Sequence, residues 1–407
     1  MGFTKKQWSW LLYDPANAAF ALIARTVFFP VFFMAVAKPV WGEAVGTAYL
    51  SCTASAAGVA AGIFTLSFGN FADVRRKKRL MLAFCTGLSI AATAVLPFLG
   101  RTIRPGIVLG LFFCGMFGYM SANGFYDALL VDAAAPEERN RLSSVGYAWG
   151  YIGGMIPFIP VMLIAFFLKE WTFKAAFWLT ALWWGVGTIP VLKNVEEKPN
   201  DGVRVPLLGT LKFIVSQPLI LGFLITYFLY IDGVGTILLV ATPLAKILKI
   251  TDAVLMSIIL ALQLIAVPFT ILYGKLAEKF GARPLIRIAI AVYVLIAVLT
   301  TILSLIPDLL TRQILFGAIA FLVGTSQGGI QALSRSLFSR IIPQERSAEL
   351  FSVYNFFGKF TTILGPVLVW IATMCWGRPE LGVTLLIVPF VCGWVSLRLL
   401  KLPAGVK

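Results

Sequence analysis

Histidine does not occur in this chain of 407 residues. Its absence removes the usual general base of nucleophilic catalysis and the commonest metal ligand. Five cysteines are present, Cys52, Cys85, Cys114, Cys375 and Cys392, all inside apolar runs and without CxxC or Cys/His spacing. That pattern argues against a disulfide framework and a thiolate metal site, so no metal and no cofactor is expected. Neither HExxH nor the phosphate loop G-x-x-x-x-G-K-[ST] occurs, which argues against zinc-dependent hydrolysis and direct use of ATP. Charge is scarce as well, at 13% of residues, and acids are fewest, with 18 Asp and Glu beside 34 Lys and Arg. The chain does not read as an enzyme.

What fills the sequence instead is apolar side chain, at 59% of residues. Soluble domains are nearer half apolar and a quarter charged, so the chain belongs in a bilayer. Twelve runs are long enough to cross a hydrocarbon core, at roughly 8–37, 44–71, 80–100, 106–131, 143–168, 175–192, 218–241, 253–278, 285–306, 310–334, 348–376 and 380–400. The first follows Lys5 and Lys6, is too long for a cleaved signal peptide and has no small-residue cleavage site, so it reads as a retained span. The expectation is an all-α, multi-pass protein of a cell (inner) membrane.

The net charge of +16 does not imply nucleic acid, because the cations sit in short connectors and form no extended basic arm. Most fall on the side of the two termini, which the positive-inside rule assigns to the cytoplasm. The run Arg75-Arg76-Lys77-Lys78-Arg79 dominates that side; it reads first as a topology anchor against anionic membrane lipid and second as a conformational latch.

The sequence repeats. Pro136-Glu137-Glu138-Arg139 has a twin in Pro343-Gln344-Glu345-Arg346, an offset of 207, and Gly69-Asn70-Phe71-Ala72-Asp73 returns as Gly274-Lys275-Leu276-Ala277-Glu278, an offset of 205. One half-length unit is therefore used twice. Between the halves lies Lys193 to Pro206, the one long polar stretch, followed by a short interfacial helix over Leu207 to Gln217. The domain reading is 1–192 as one six-helix bundle, 193–217 as a cytoplasmic linker and 218–407 as the second bundle. Gly58 and Gly62, and Gly146, Gly150 and Gly154, recur every four residues and form smooth faces for close helix packing.

The pattern G-x-L-A-D/E followed by basic residues, built on Gly69, Asp73 and Arg75 and again on Gly274, Glu278 and Gly281, resembles the loop signature of the major facilitator superfamily. The first copy departs from it by carrying Arg76 where the signature has glycine. More narrowly, Gly328-Gly329-Ile330-Gln331-Ala332-Leu333-Ser334-Arg335-Ser336, Trp10-Leu11-Leu12-Tyr13-Asp14 and Gly146-Tyr147-Ala148-Trp149-Gly150-Tyr151 resemble the vacuole-effluxer (autophagy-related) family. The resemblance implies a monomeric secondary transporter, with helices 1 and 7, and 4 and 10, facing a central cavity. The fifth run lacks the G-P-x-x-G-G ending similar to that of drug/proton antiporters.

Charges at bilayer depth are costly and therefore informative. Arg25, Asp232 and Lys359 fall near the middle of the first, seventh and eleventh runs, with Asn355 one turn from Lys359. Arg25 and Asp232 are 207 apart, matching positions of the repeat with opposite charge. They either neutralise each other or hold a substrate, and a spare cation in a low-dielectric cavity attracts a carboxylate. The substrate expected is an amino acid or similar carboxylate-bearing solute, with Arg25, Asp232, Lys359, Asn355, Gln331, Asn123 and Tyr126 as contacts. Asp14, Asp127 and Arg335 form a second tier nearer the cytoplasm, expected to act as a gate; the competing reading for each of the three is a purely structural role, Asp14 before Pro15 as a helix-start or interface carboxylate satisfied by water. Asp232, Asp127 and Asp14 are the carboxylates available for proton coupling, as symporter or antiporter. Asn17, Gln263 and Gln327 are further polar candidates. The competing readings are a facilitator or exporter of a sugar, drug or lipid-like solute, and a membrane scaffold, which would not need midplane charges.

Overall fold

Helix starts are written locally. Thr4 closes a capping box, its hydroxyl accepting from Gln7 N at 3.2 Å while the Gln7 amide oxygen accepts from Thr4 N at 3.0 Å. Thr251 and Asp308 cap later helices, and Pro105 opens another, where its missing N–H costs nothing. The computed structural model describes residues 2–99, 104–198, 206–359, 367–368, 371–372, 374–375 and 380–403. Among these, every regular element is helical, as a bilayer demands of a chain that must satisfy its own backbone polar groups.

Eleven helices among the described residues are long and apolar enough to span a membrane. Numbered as the sequence predicts, spans 1 to 6 are Lys5–Trp41, Glu43–Val74, Lys78–Phe98, Pro105–Ala133, Arg139–Phe167 and Lys169–Asn194. Spans 7 to 10 are Pro218–Leu238, Ser257–Phe280, Ala282–Leu303 and Leu309–Ile341, and span 12 is Gly382–Leu399. The run expected at 348–376 opens with helix Ser347–Lys359 and then passes outside the described residues. A ten-residue helix, Leu207–Ser216, precedes span 7. Large apolar side chains stand exposed along these helices, Phe98 at 75% and Phe166 at 76%, a surface that lipid tolerates and water does not.

Two compact units result. Unit 1 comprises Met1–Ala135, Trp149–Leu208 and Pro343–Asn355; unit 2 comprises Pro136–Ala148, Gly209–Ile342 and Phe356–Lys407. Each unit thus includes the connector and first helical turns that the other half of the sequence supplies. The packing repeats as the sequence does. In unit 1, span 4 packs on spans 2 and 3 and span 6 on spans 1 and 3; in unit 2, span 10 packs on spans 8 and 9 and span 12 on spans 7 and 9. The face of the fifth span works as a packing surface: a Cβ on Gly150 would lie 3.8 Å from Asp14 O, and one on Gly154 3.2 Å from Ala18 O.

Candidate functional site

Spans 1 and 4 run antiparallel in unit 1 and face each other through a ladder of polar and aromatic pairs. Trp10 stacks on Tyr126 with ring centroids 4.6 Å apart and donates from its indole N–H to Tyr126 O at 3.2 Å. The Tyr126 hydroxyl donates to Asp14 Oδ2 at 2.8 Å. One turn further, Asn17 Nδ2 donates to Asn123 Oδ1 at 2.7 Å, and beyond it Phe20 meets Tyr119 and Phe29 stacks on Phe112. Asp127 is buried and accepts from Asn355 Nδ2 at 2.9 Å. Thus Asn123, Tyr126 and Asn355, expected as substrate contacts, Asp14 and Asp127, expected in the cytoplasmic tier, and Asn17 share one region of unit 1. Asp14, Asn123 and Asn355 are half-buried, so each still presents surface to a solute.

Arg25 lies near the middle of span 1, inside a π-helical stretch, Phe20–Phe28. The i→i+5 geometry widens the turn, and the Thr26 hydroxyl donates to Ala21 O at 2.7 Å across it. π-Helix is rare and concentrates at functional sites. The Arg25 side chain is exposed and borders a small cleft with Phe20, Phe29, Thr93 and Phe112. One cation among aromatic rings and a hydroxyl suits a small anion with an apolar body.

At one end of unit 1 the loop signature builds a buried ionic cluster. Asp73 accepts the backbone N–H groups of Ala348 and Glu349, both at 2.9 Å, and so caps helix Ser347–Lys359. Lys78 Nζ lies 2.7 Å from Asp132 Oδ2, 3.6 Å from Asp73 Oδ1 and 2.8 Å from Ser347 Oγ. Glu349 accepts from Asn70 Nδ2 at 3.1 Å and from Arg346 Nε at 2.7 Å. Glu197, from the linker, accepts the backbone N–H groups of Lys78 and Arg79 at 3.0 Å each, and Lys198 N donates to Asp132 Oδ1 at 2.9 Å. The signature glycine is explained by distance: a Cβ on Gly69 would stand 2.8 Å from Glu349 Cα. Gly274 does the same in unit 2, where a Cβ would meet Ser144 Cβ at 2.6 Å. Arg75, Arg76 and Lys77 stay exposed, and Arg76 holds a positive φ, +52°, as does Gly281, where the second copy keeps the signature's glycine, at φ +86°.

In unit 2, Arg335 is buried, donates from Nε to Ser143 Oγ at 2.9 Å and from Nη2 to Ser143 O at 3.1 Å, and lies over the Tyr147 ring at 4.4 Å. Arg139 donates to Ser339 O at 2.6 Å, and Ser336 Oγ donates to Asn140 Oδ1 at 2.7 Å. Asp232 is buried near the middle of helix Pro218–Ile247, and Gln263, Gln327 and Gln331 are half-buried. Glu278 is exposed: the carbonyl next to it, Ala277 O, accepts from Asn140 Nδ2, so the second copy of the signature works through its backbone where the first works through Asp73. The Lys359 side chain lies outside the described residues.

Sequence reasoning did not single out Lys78, Asp132, Glu197 or Glu349. Lys78 sits in a run of five cations with nothing to mark it as the buried one. Asp132 offered a signal, being a carboxylate at the end of an otherwise apolar run.

The family model described as "Vacuole effluxer Atg22 like" matches residues 130–407. Over 413 aligned residues the chain is 36% identical to the MFS-type transporter YxiO of Bacillus subtilis (strain 168), covering 97% of this chain and 94% of that protein. It is 25% identical to autophagy-related protein 22-2 of Aspergillus clavatus over 269 residues, 58% of this chain and 44% of that longer protein. Among solved structures, the proton:xylose symporter XylE, bound to 6-bromo-6-deoxy-D-glucose, superposes with a TM-score of 0.74 at 14% identity, over 98% of this chain and 94% of that one. The human organic anion transporter MFSD10 (TETRAN) follows at 0.73 and 15% identity, over 97% and 98%. At such identities these two likenesses concern the fold.

Proposed function

The chain belongs to the Atg22-like vacuole effluxer family of major facilitator transporters, and from that premise we propose that it carries a small carboxylate-bearing solute, an amino acid or a close analogue, by alternating access. It is a multi-pass membrane transporter and not an enzyme. The observation that carries the substrate reading is Arg25: a cation at mid-span, in π-helical backbone, bordering an aromatic-lined cleft. A charge held there is costly unless an anion uses it. Asn123, Tyr126 and Asn355 supply neutral donors and acceptors in unit 1, and Asp232, Gln331 and Lys359 are assigned to the same task from unit 2.

Proton coupling falls to Asp232, Asp127 or Asp14, and a cytoplasmic gate to Asp14, Asp127 and Arg335. Asp127 and Asp232 are both buried side chains, and Asp14 is half-buried. The protein works as a monomer with 1–192 and 218–407 as its two bundles and both termini in the cytoplasm of a cell membrane, consistent with the bias of basic connectors.

Counterflow in proteoliposomes tests the reading. Vesicles loaded with a mixed amino-acid pool should take up labelled amino acid against its gradient, saturably, and acidification of the outside should raise the rate if a proton moves with it. Equal flux in empty liposomes and proteoliposomes, across amino acids and organic anions alike, would refute it.

A further inference from the structure

The repeat places Lys78 and Arg283, 205 apart, at matching helix starts, and their surroundings differ. Lys78 is enclosed by Asp73 and Asp132, with Glu197 on the same helix end. Around Arg283 those carboxylates have no counterpart. Glu278, matching Asp73, is exposed; the positions matching Asp132 lie in Leu337–Ser339; and Leu381 to Lys407 contains no acidic residue.

Cations gather there instead. Arg283 donates from Nε to Leu397 O at 2.8 Å and from Nη2 to Arg398 O, tying the start of span 9 to the last turn of span 12. One turn along span 9, the Arg287 guanidinium lies 3.9 Å over the Trp394 ring, and its Nε is enclosed without a hydrogen-bond partner among the described residues. Arg283 and Arg398 are both close enough to repel Arg287 electrostatically. Arg398 is exposed beside it. Among the described residues none of the three arginines makes an ion pair. Three guanidinium groups held together with no carboxylate between them offer a site to an anion from outside the chain.

We propose that Arg283, Arg287, Arg398 and Trp394 bind the phosphate of an anionic membrane phospholipid. Guanidinium forks match phosphate oxygens in pairs. Trp394 is the residue type that anchors at headgroup level, and the neighbouring Ile288, Val395 and Leu399 are exposed apolar surface along which acyl chains lie. The positive-inside reading puts this end of unit 2 in the cytoplasmic leaflet, where anionic lipid concentrates.

The test uses the full chain, purified and delipidated, with phosphatidylglycerol, phosphatidylcholine or inorganic phosphate added back. Native mass spectrometry counts retained lipid, and a thermal melt reads stabilisation. Phosphatidylglycerol should be retained and should raise Tm, and Arg287→Gln/Arg398→Gln should cut retention by about tenfold, the loss expected for one or two charge-assisted contacts. Lys169→Gln/Lys174→Gln, which removes two exposed cations from unit 1, should leave retention unchanged. Equal retention in the two double variants would overturn the site. So would phosphatidylcholine matching phosphatidylglycerol, and an equal rise in Tm with inorganic phosphate would replace the lipid with a free anion. Should the first double variant fail to fold, Arg398→Gln alone, at an exposed side chain, must still reduce retention for the proposal to stand.

Discussion

Asp73 and Ala348 are 275 residues apart in sequence, yet the carboxylate of one accepts the backbone N–H of the other at 2.9 Å. The same carboxylate takes Glu349 N and lies beside Lys78, so one buried side chain closes a helix end and balances a buried cation. Removing one partner of such a group leaves a buried charge behind, at a cost of about 3–5 kcal/mol. Because Asp132 also pairs with Lys78, Asp73→Ala should sit at the lower end, near 3 kcal/mol. Lys78→Met should relieve part of that loss, so the double variant should be less destabilised than the sum of the singles by about 1 kcal/mol or more. Strict additivity in thermal unfolding of the purified protein would mean that the two do not act as one cluster.

A second expectation concerns two glycines that the same substitution should push in opposite directions. Gly69→Ala drives a methyl into the Glu349 backbone, 2.8 Å away, and should cost about 1–3 kcal/mol as an overpacked contact. Gly87, inside helix Lys78–Val95, has open space around it, and Gly87→Ala should gain about 0.5–1 kcal/mol from helix propensity. Opposite shifts in Tm support close approach as the reason for the signature glycine; shifts of one sign do not.

The neighbouring loop predicts a stabilising change. Arg76 is held at φ +52°, where a side chain costs roughly 1–2 kcal/mol and glycine costs nothing sterically. After the extra flexibility glycine gives the unfolded chain, Arg76→Gly should still gain about 0.5 kcal/mol, and Arg76→Val should lose more than 1. A melting series across Gly, Asn, Arg and Val at this position should fall in that order.

For transport, Arg25→Ala should weaken a carboxylate-bearing substrate by about 1.5–3 kcal/mol, one charge-assisted contact, or roughly tenfold to a hundredfold in Kd. Arg25→Lys keeps the charge and should recover part of it. Binding to proteoliposomes, or ligand-induced stabilisation of the purified protein, reads the effect; unchanged affinity in Arg25→Ala would move the substrate carboxylate elsewhere.

The architecture was largely legible because a bilayer simplifies the code: length and apolar content fixed the spans to within a few residues, and two near-equal offsets exposed a repeat that reappears in the packing. Gly69 and Asp73 were legible as well, since a glycine and a carboxylate at that spacing have a role that sequence can carry. Lys78 was not, because five successive cations have no periodicity that says which one turns inward. Glu197 was hidden for a similar reason, its linker being polar throughout. The π-helical turn at Arg25 left no trace either; neither proline nor glycine marks it, and the segment packs on span 6.

The last expectation rests on Arg335, where geometry, and not charge alone, is at stake. Its guanidinium reaches both the hydroxyl and the carbonyl of Ser143 and stacks on Tyr147, three contacts that a planar fork makes together. Lysine has the charge but neither the fork nor the stacking face, so Arg335→Lys should behave nearly as badly as Arg335→Ala. Losing the stack alone is worth about 1 kcal/mol or somewhat more, and losing the hydrogen bonds to Ser143 adds a similar amount. If Arg335 also serves the gate, the two variants should share a second signature: altered exchange rates with substrate affinity preserved. Tyr147→Phe keeps the ring and should stay close to wild type in both readouts, whereas Tyr147→Leu should follow Arg335→Lys. A fully active, fully stable Arg335→Lys would show that only the charge matters at this position, and that the fork and the stack are incidental.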